Sequence, residues 1–152
     1  MANEISTAGI SIGYCIEATA GSRPSSSYTQ IPNIKSIGDM NPEPATYEVT
    51  DLSDTEWKRY IGALKDVGGA LALTANFTPD FQTAWGSLVT AAESGASANP
   101  AKAMWYCITV PNWSKKFYFA GMPSAMGFPQ TDTDQVFSGD VYITPNKIEG
   151  WA

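Results

Sequence analysis

Short runs in which apolar and polar residues alternate recur along most of this chain, and a period of two residues is typical of a half-buried β-strand. The first run covers residues 10–17. One face of it carries Ile10, Ile12, Tyr14 and Ile16, and the other carries Ser11, Gly13, Cys15 and Glu17. The pattern predicts a strand that buries its isoleucine face.

Further runs of this kind are separated by segments rich in Gly, Pro and Ser, which favour turns and loops. They predict strands near residues 30–37, 45–50, 69–77, 103–110, 115–122 and 135–144, with the turn "PNWSK" closing a hairpin. Such a series, with a single helix, predicts a mainly β fold: a β-sandwich or split barrel of two packed sheets. The length of 152 residues favours one domain, spanning residues 1–152.

One segment, at about residues 80–93, has helical periodicity instead. Thr78 is a plausible cap, Pro79 suits the first position, and Gly95 is expected to end the helix. An apolar stripe at helical spacing predicts the core-facing side: Phe81, Trp85, Leu88 and Ala92.

Two segments lack a clear period. Residues 19–29, "TAGSRPSSSYT", predict a flexible loop. Residues 51–68 predict a long loop with at most a short helix, because several glycines interrupt any helical turn that starts there.

Alternation also divides three strands into a core face and an opposite face. The predicted core faces carry Tyr47 and Val49, then Leu71, Leu73 and Phe77, then Phe137, Val141 and Ile143. The opposite faces are small and polar and contain no Lys or Arg: Thr46, Glu48 and Thr50, then Ala72, Thr74 and Asn76, then Ser138 and Asp140.

The stretch Gly9–Gly13 matches the G-x-S-x-G pattern of serine hydrolases, in which Ser11 would be the nucleophile. The chain contains no histidine to take the serine proton, and the alternating residues continue straight through the motif. The sequence therefore predicts a strand serine and no enzyme activity.

Metal and cofactor sites are not expected either. Asp132 and Asp134 have a spacing that could begin a calcium loop, but the later ligands are missing. Without histidine, and with Cys15 and Cys107 far apart in the sequence, a zinc site has too few ligands. The two cysteines are expected to be buried free thiols, although a disulfide between them stays open.

The formal net charge of −6 disfavours specific binding to nucleic acid. The basic pairs Lys58–Arg59 and Lys115–Lys116 are too short to follow a phosphate backbone. The opening residues lack the features of a secretory signal, and no apolar run is long enough to span a membrane, so a cytoplasmic site of synthesis is expected.

The run "PATYEVTDLSDTEWKRYIGALKDVGGALALTANFTPD" resembles the middle of the major tail tube proteins of long, non-contractile-tailed bacteriophages. The similar features are an E-V-T strand, a charged loop, a G-x-L-x-D-x-G turn and a strand that ends in N-F-x-P before a helix. The turn corresponds to Gly62, Leu64, Asp66 and Gly68, the strand end to Asn76, Phe77 and Pro79, and the last strand to "VFSGDVYIT".

The resemblance implies a structural virion protein of the phage tail, made in the host cytoplasm. Six copies would close into a ring, and rings would stack around a tape-measure protein to form the channel for DNA ejection. Further partners would be tail terminator and tail tip proteins, with no membrane and no specific DNA binding. The related tubes of contractile tails or secretion systems share this fold and stay open as an alternative.

Two sets of residues are predicted to act in such a tube. The long loop is predicted to stack one ring on the next through Asp51, Asp54, Glu56, Trp57, Lys58, Arg59 and Tyr60. The small polar faces are predicted to line the channel through Thr46, Glu48, Thr50, Thr74, Asn76, Ser138 and Asp140. The alternative for these faces is the solvent side of a sandwich. The alternative outside this class is a secreted or surface β-sandwich that binds carbohydrate or protein, with Trp57 and Trp113 as stacking platforms.

Overall fold

The computed structural model describes residues 6–41, 44–64 and 69–152, which form nine strands and one helix. The elements are β1 (Ser11–Ile16), β2 (Thr29–Gln30), β3 (Ile34–Ile37), β4 (Thr46–Glu48), β5 (Tyr60–Gly62), β6 (Leu71–Asn76), α1 (Pro79–Ala96), β7 (Met104–Thr109), β8 (Phe117–Pro123) and β9 (Ser138–Trp151). Seven strands form one antiparallel sheet in the order β2-β1-β7-β8-β9-β6-β3, and β4 and β5 form a separate sheet.

The large sheet curls until its two ends approach each other, because its end strands β2 and β3 are consecutive in the chain. Ile31 N donates to Ile12 O of β1 at 2.9 Å, and Asn33 O accepts from Asn76 N of β6 at 2.9 Å. Asn33 has a φ of 61°, so the single strand predicted at 30–37 is interrupted there. The mainly β prediction is confirmed, with the two packed layers formed largely by one curled sheet.

Strand β9 is longer than predicted and joins two parts of the sheet. Its residues from Ser138 to Ile143 pair with β6, and those from Ile143 to Trp151 pair with β8. The predicted range 135–144 is therefore wrong at both ends. The strand continues through Pro145, which lies opposite Gly121 beside a register shift in β8, where the ladder tolerates a residue without an N–H donor.

Helix α1 begins as predicted and buries the predicted stripe. The Thr78 hydroxyl accepts a hydrogen bond from Phe81 N at 3.1 Å, and Pro79 occupies the first turn. The buried residues are Phe81, Trp85, Leu88, Ala92 and Gly95. They pack against the inner face of the sheet to form the main core, with Ile12, Leu73, Tyr106, Phe119, Val141 and Ile143.

Gly95 does not end the helix, which continues to Ala96, and that prediction is wrong. A Cβ atom at position 95 would lie 2.6 Å from Ile16 Cδ1 and 2.8 Å from Lys102 O. Gly95 is therefore required for the close approach of α1 to two neighbours, β1 and the segment around Lys102 that follows the helix.

Gly95→Ala should lower the free energy of unfolding by about 1–3 kcal/mol, the usual cost of overpacking. Gly86 on the same helix is the matched control, because a Cβ there would meet nothing within 4 Å. Gly86→Ala should raise stability by up to about 1 kcal/mol through helix propensity. Urea denaturation of both variants measures the difference in their free energies of unfolding. An equal increase in the free energy of unfolding of both variants would show that the contact at Gly95 is not tight.

Two predicted core-face assignments are wrong. Tyr47 is 65% exposed and Val49 is 37% exposed, because β4 belongs to the separate two-stranded sheet. Phe137 is 42% exposed, and its ring lies between Phe77, at a centroid distance of 5.5 Å, and the exposed Phe128, at 5.7 Å. The core faces of β6 and of the β9 residues Val141 and Ile143 are buried as predicted.

The segment 19–29 packs on the outer face of the sheet and is not the unpacked loop predicted. The Arg23 guanidinium lies 4.0 Å from the centre of the Tyr118 ring and pairs with Glu149 at 2.7 Å. The Tyr28 ring lies 5.9 Å from that of Tyr118, and its hydroxyl donates to Pro24 O. This cover helps to explain why Cys107, on the same face, is buried; Cys107 and the half-buried Cys15 are both free thiols.

Candidate functional site

Residues 44–64 form an arm, built from the antiparallel pair β4–β5 and the loop between them. The register aligns Thr46 with Gly62, Tyr47 with Ile61 and Glu48 with Tyr60, and Val49 N donates to Arg59 O at 2.8 Å. The prediction of a continuous loop over 51–68 is therefore wrong at β5. Of the predicted G-x-L-x-D-x-G turn, Gly62 lies in β5 and Leu64 follows it, whereas Asp66 and Gly68 lie outside the described residues.

Polar contacts hold the tip of the arm in a defined shape. The Arg59 side chain contacts Asp54 at 2.8 Å and Asp51 at 3.1 Å. The Thr50 hydroxyl accepts a hydrogen bond from Arg59 N at 2.8 Å, and Asp54 Oδ2 accepts one from Asp51 N at 2.9 Å. Hydrogen bonds from Ser53 lower the pKa of Asp51, and those from Asp51 N and Arg59 lower the pKa of Asp54. Both carboxylates are therefore ionised at neutral pH.

The apolar side chains of the arm are exposed to solvent. Trp57 is 80% exposed, and Leu52 and Leu64 are almost fully exposed. Half of the large hydrophobic side chains exposed in the described part of the chain belong to the arm: Tyr47, Val49, Leu52, Trp57, Tyr60, Ile61 and Leu64. Such a concentration does little for the stability of a single copy and is typical of an interaction surface.

All seven residues predicted to stack rings lie on this arm, at its tip or at the start of β5. Sequence reasoning did not single out the other exposed apolar side chains of the arm, which are Tyr47, Val49, Leu52, Ile61 and Leu64. The alternating pattern around Tyr47 was the available signal, but it was assigned to a core strand. Pairing of β4 with β5 places Tyr47 and Ile61 opposite each other on an exposed ribbon instead.

The residues predicted to line a channel lie on two separate sheets. Thr74, Asn76, Ser138 and Asp140 share one face of the β6–β9 pair, where the Thr74 hydroxyl donates to Asp140 Oδ1 at 2.7 Å. This face borders a groove of about 550 Å³ with no Lys or Arg in its lining. Thr46 and Glu48 lie on β4, and Thr50 follows it at the base of the tip.

A second aromatic surface lies at the end of the β7–β8 hairpin. We define the aromatic cleft as Asn112, Trp113, Ser114, Lys115 and Trp151, which line an open depression of about 410 Å³. The Trp113 and Trp151 rings are 5.1 Å apart, and Phe117 supports Trp151 from the side at 5.5 Å. Both indoles are half exposed. Trp113 was named as a stacking platform only under the alternative of a secreted or surface β-sandwich. Trp151 was not singled out, because it lies beyond the predicted end of the last strand.

The structure also places the chemical motifs that the sequence suggested. Ser11 is half-buried at the start of β1, where it is paired with Thr109. Within residues 6–41, 44–64 and 69–152, no three His, Cys, Asp or Glu side chains cluster in a way that could hold a metal ion. Among the residues that the structure describes, no helix is both long enough and apolar enough to cross a membrane.

No protein-family model matches this chain, and no curated protein matches it in sequence. Solved structures do match, over nearly the whole chain. One comes from the sixfold-symmetrised baseplate of the anti-feeding prophage, with a TM-score of 0.62 and 12% identity over 99% of this chain and 97% of that one. The chain shares its fold with components of phage-tail-like particles.

Two further structures support the same assignment of fold. The tail of an empty GTA particle, refined with C6 symmetry, gives a TM-score of 0.56 and 11% identity over 84% of this chain and 89% of that one. The tube-terminating cap of the anti-feeding prophage gives a TM-score of 0.58 and 11% identity over 97% of this chain and 91% of that one. Similarity at this level of identity establishes the fold, and the residues of the arm and the cleft must be interpreted from their own chemistry.

Proposed function

We propose that this chain is a structural subunit of a phage tail or tail-like particle, in which six copies close into a ring and the rings stack into a tube. The observation that carries the proposal is the arm, whose apolar side chains are exposed on a subunit that shares its fold with components of sixfold tail-like assemblies. An interface between different surfaces of identical subunits closes into rings or continues along an axis.

The proposed role is mechanical and involves no catalytic step. The arm has its own backbone pairing and a tip tied by Arg59, so docking it on a neighbour would cost less conformational entropy than ordering a disordered loop. Its partners would be further copies, a tape-measure protein in the channel, and terminator and tip proteins at the ends. Electron microscopy of the purified protein tests the proposal directly: rings or tubes support it, and a uniform monomer at high concentration contradicts it.

We also propose that DNA passes through the tube and that the polar faces with Glu48 and Asp140 line its channel. The net charge of −6 and the groove without Lys or Arg beside Asp140 support this, because each phosphate neutralised by a cation would add affinity and friction.

Glu48→Lys and Asp140→Lys, introduced together, should therefore make assembled tubes retain DNA. We expect DNA ejection from particles to slow at least several-fold at low salt and to recover as salt is raised, since counterion release drives the added binding. Glu93→Lys is the control, because it makes the same kind of charge reversal near the exposed C-terminal end of α1, where a cation is tolerated. Unchanged ejection in the double variant, or Glu48 and Asp140 on the outer wall of a reconstructed tube, would contradict the assignment.

A further inference from the structure

The aromatic cleft and the arm have complementary chemistry. The cleft combines two half-exposed indoles with Lys115, and Lys116 follows directly. Both lysines are exposed, and neither forms an ion pair within the described part of the chain. The cleft therefore offers an apolar surface with an unpaired positive charge, that of Lys115, in its lining.

The arm offers the opposite charge next to apolar side chains. Residues 44–64 carry four carboxylates and two cations, a formal charge of −2. Arg59 is already occupied by Asp51 and Asp54, which leaves Glu48 and Glu56 without an ion-pair partner among the described residues. Glu56 immediately precedes Trp57, so an exposed indole and an unpaired carboxylate lie together at the tip.

The position of the cleft is fixed by the fold. The backbone of Lys116 exchanges two hydrogen bonds of 3.0 Å with that of Ala152, which ties the end of the hairpin to the end of β9. Trp151 pairs with Phe117 across the β8–β9 ladder. The ladder thus positions Trp151, while Trp113 lies in the turn between β7 and β8, where its backbone N–H donates to Val110 O at 3.3 Å. Aromatic residues held in place in this way are typical anchors of protein interfaces.

We propose that the aromatic cleft of one copy binds the tip of the arm of a second copy, with Trp57 against Trp113 and Trp151 and with Glu56 facing Lys115. The inference rests on the proposed function and names the receiving surface for the arm. Because arm and cleft are different surfaces, each copy can insert its arm into the cleft of one neighbour and bind the arm of another neighbour in its own cleft. Such head-to-tail contacts can close a ring of copies or stack copies along an axis.

Charge reversal tests the contact. Lys115→Glu alone and Glu56→Lys alone should each raise the concentration needed for assembly at least about tenfold, since like charges would meet at the interface. The two changes together should restore assembly to within about threefold of the unmodified chain, because the pair is rebuilt with opposite polarity. Assembly is followed by sedimentation and electron microscopy, and thermal melting of each variant checks that the subunit stays folded. Failure of the double variant to recover would overturn the inference.

Crosslinking between copies gives a second measurement that does not depend on tube formation. Chains carrying Glu56→Cys are mixed with chains carrying Lys115→Cys, and a disulfide-linked heterodimer should form under mild oxidation. The control mixes Lys115→Cys with Ser87→Cys, an exposed position on α1, and should give at most background. Equal yields in both mixtures, or none in either, would contradict the contact.

The outcomes separate this inference from the proposed function. If the unmodified chain forms tubes but the double charge variant is not rescued and no specific crosslink appears, the function stands and the cleft is not the receiving surface. If no rings or tubes form at any concentration, the proposed function fails, and the crosslink alone decides whether the arm and the cleft meet. If Trp113→Ala assembles normally but loses binding on a glycan array, the cleft is a carbohydrate site and the inference is overturned.

Discussion

Replacing residues 50–58 by Asn-Gly should leave a folded, soluble subunit that no longer forms tubes. Val49 and Arg59 are paired through the backbone, so a two-residue turn can close the ribbon between them, and Asn-Gly is the preferred sequence for such a turn. The replacement removes Leu52 and Trp57, which are exposed and contribute little to the fold of one copy.

The expected loss is large because the tip supplies the aromatic anchor of the proposed interface. Truncating such an anchor typically costs about 2 kcal/mol or more, which is about thirtyfold in affinity at each contact. Electron microscopy and sedimentation measure assembly, and circular dichroism with a melting curve measures folding. Trp57→Ala should reproduce most of the defect, whereas Phe128→Ala, at an exposed aromatic position outside the arm, is the matched control. Long tubes formed by the replaced chain would rule out the arm as the assembly element.

Trp85→Ala should lower the free energy of unfolding by about 3–5 kcal/mol, the usual cost of removing a large aromatic side chain from a core. Trp85 is 1% exposed, stacks on Phe81 at 5.9 Å and donates its indole N–H to Ser124 O at 2.9 Å. The variant therefore loses packing and also leaves the Ser124 carbonyl without this donor.

Two further variants separate these contributions. Trp85→Phe keeps an aromatic ring but removes the N–H, so it should cost less than Trp85→Ala. Trp57→Ala removes the same side chain from a position that is 80% exposed and should change the stability of a single copy by no more than about 0.5 kcal/mol. Urea denaturation of unassembled subunits gives all three values. A loss below about 1 kcal/mol for Trp85→Ala would show that α1 is not anchored by this ring.

The sequence indicated only part of the exposed surface that the arm presents. The polar tip from Asp51 to Tyr60 was singled out because a long charged loop with a tryptophan is unusual inside a small domain. The exposed apolar residues on the strands of the arm were not found, because Tyr47 and Val49 have the same alternation as a core strand. Alternation of apolar and polar residues indicates that a strand has two different faces, but it does not indicate whether another layer of the protein covers the apolar face.

The sequence by itself determined the elements that depend on local physics. The period of two residues placed β1, β6, β7 and β8, and the cap at Thr78 with the stripe through Trp85 placed α1, since both signals lie within a few residues of the structure they specify. Only the tertiary structure decided the pairing of β4 with β5, the continuation of β9 past Pro145 to reach β8, and the role of Gly95 as a close-packing residue. Each of these depends on a partner distant in the sequence, and the free energy of such contacts is set by which surfaces the whole chain brings together.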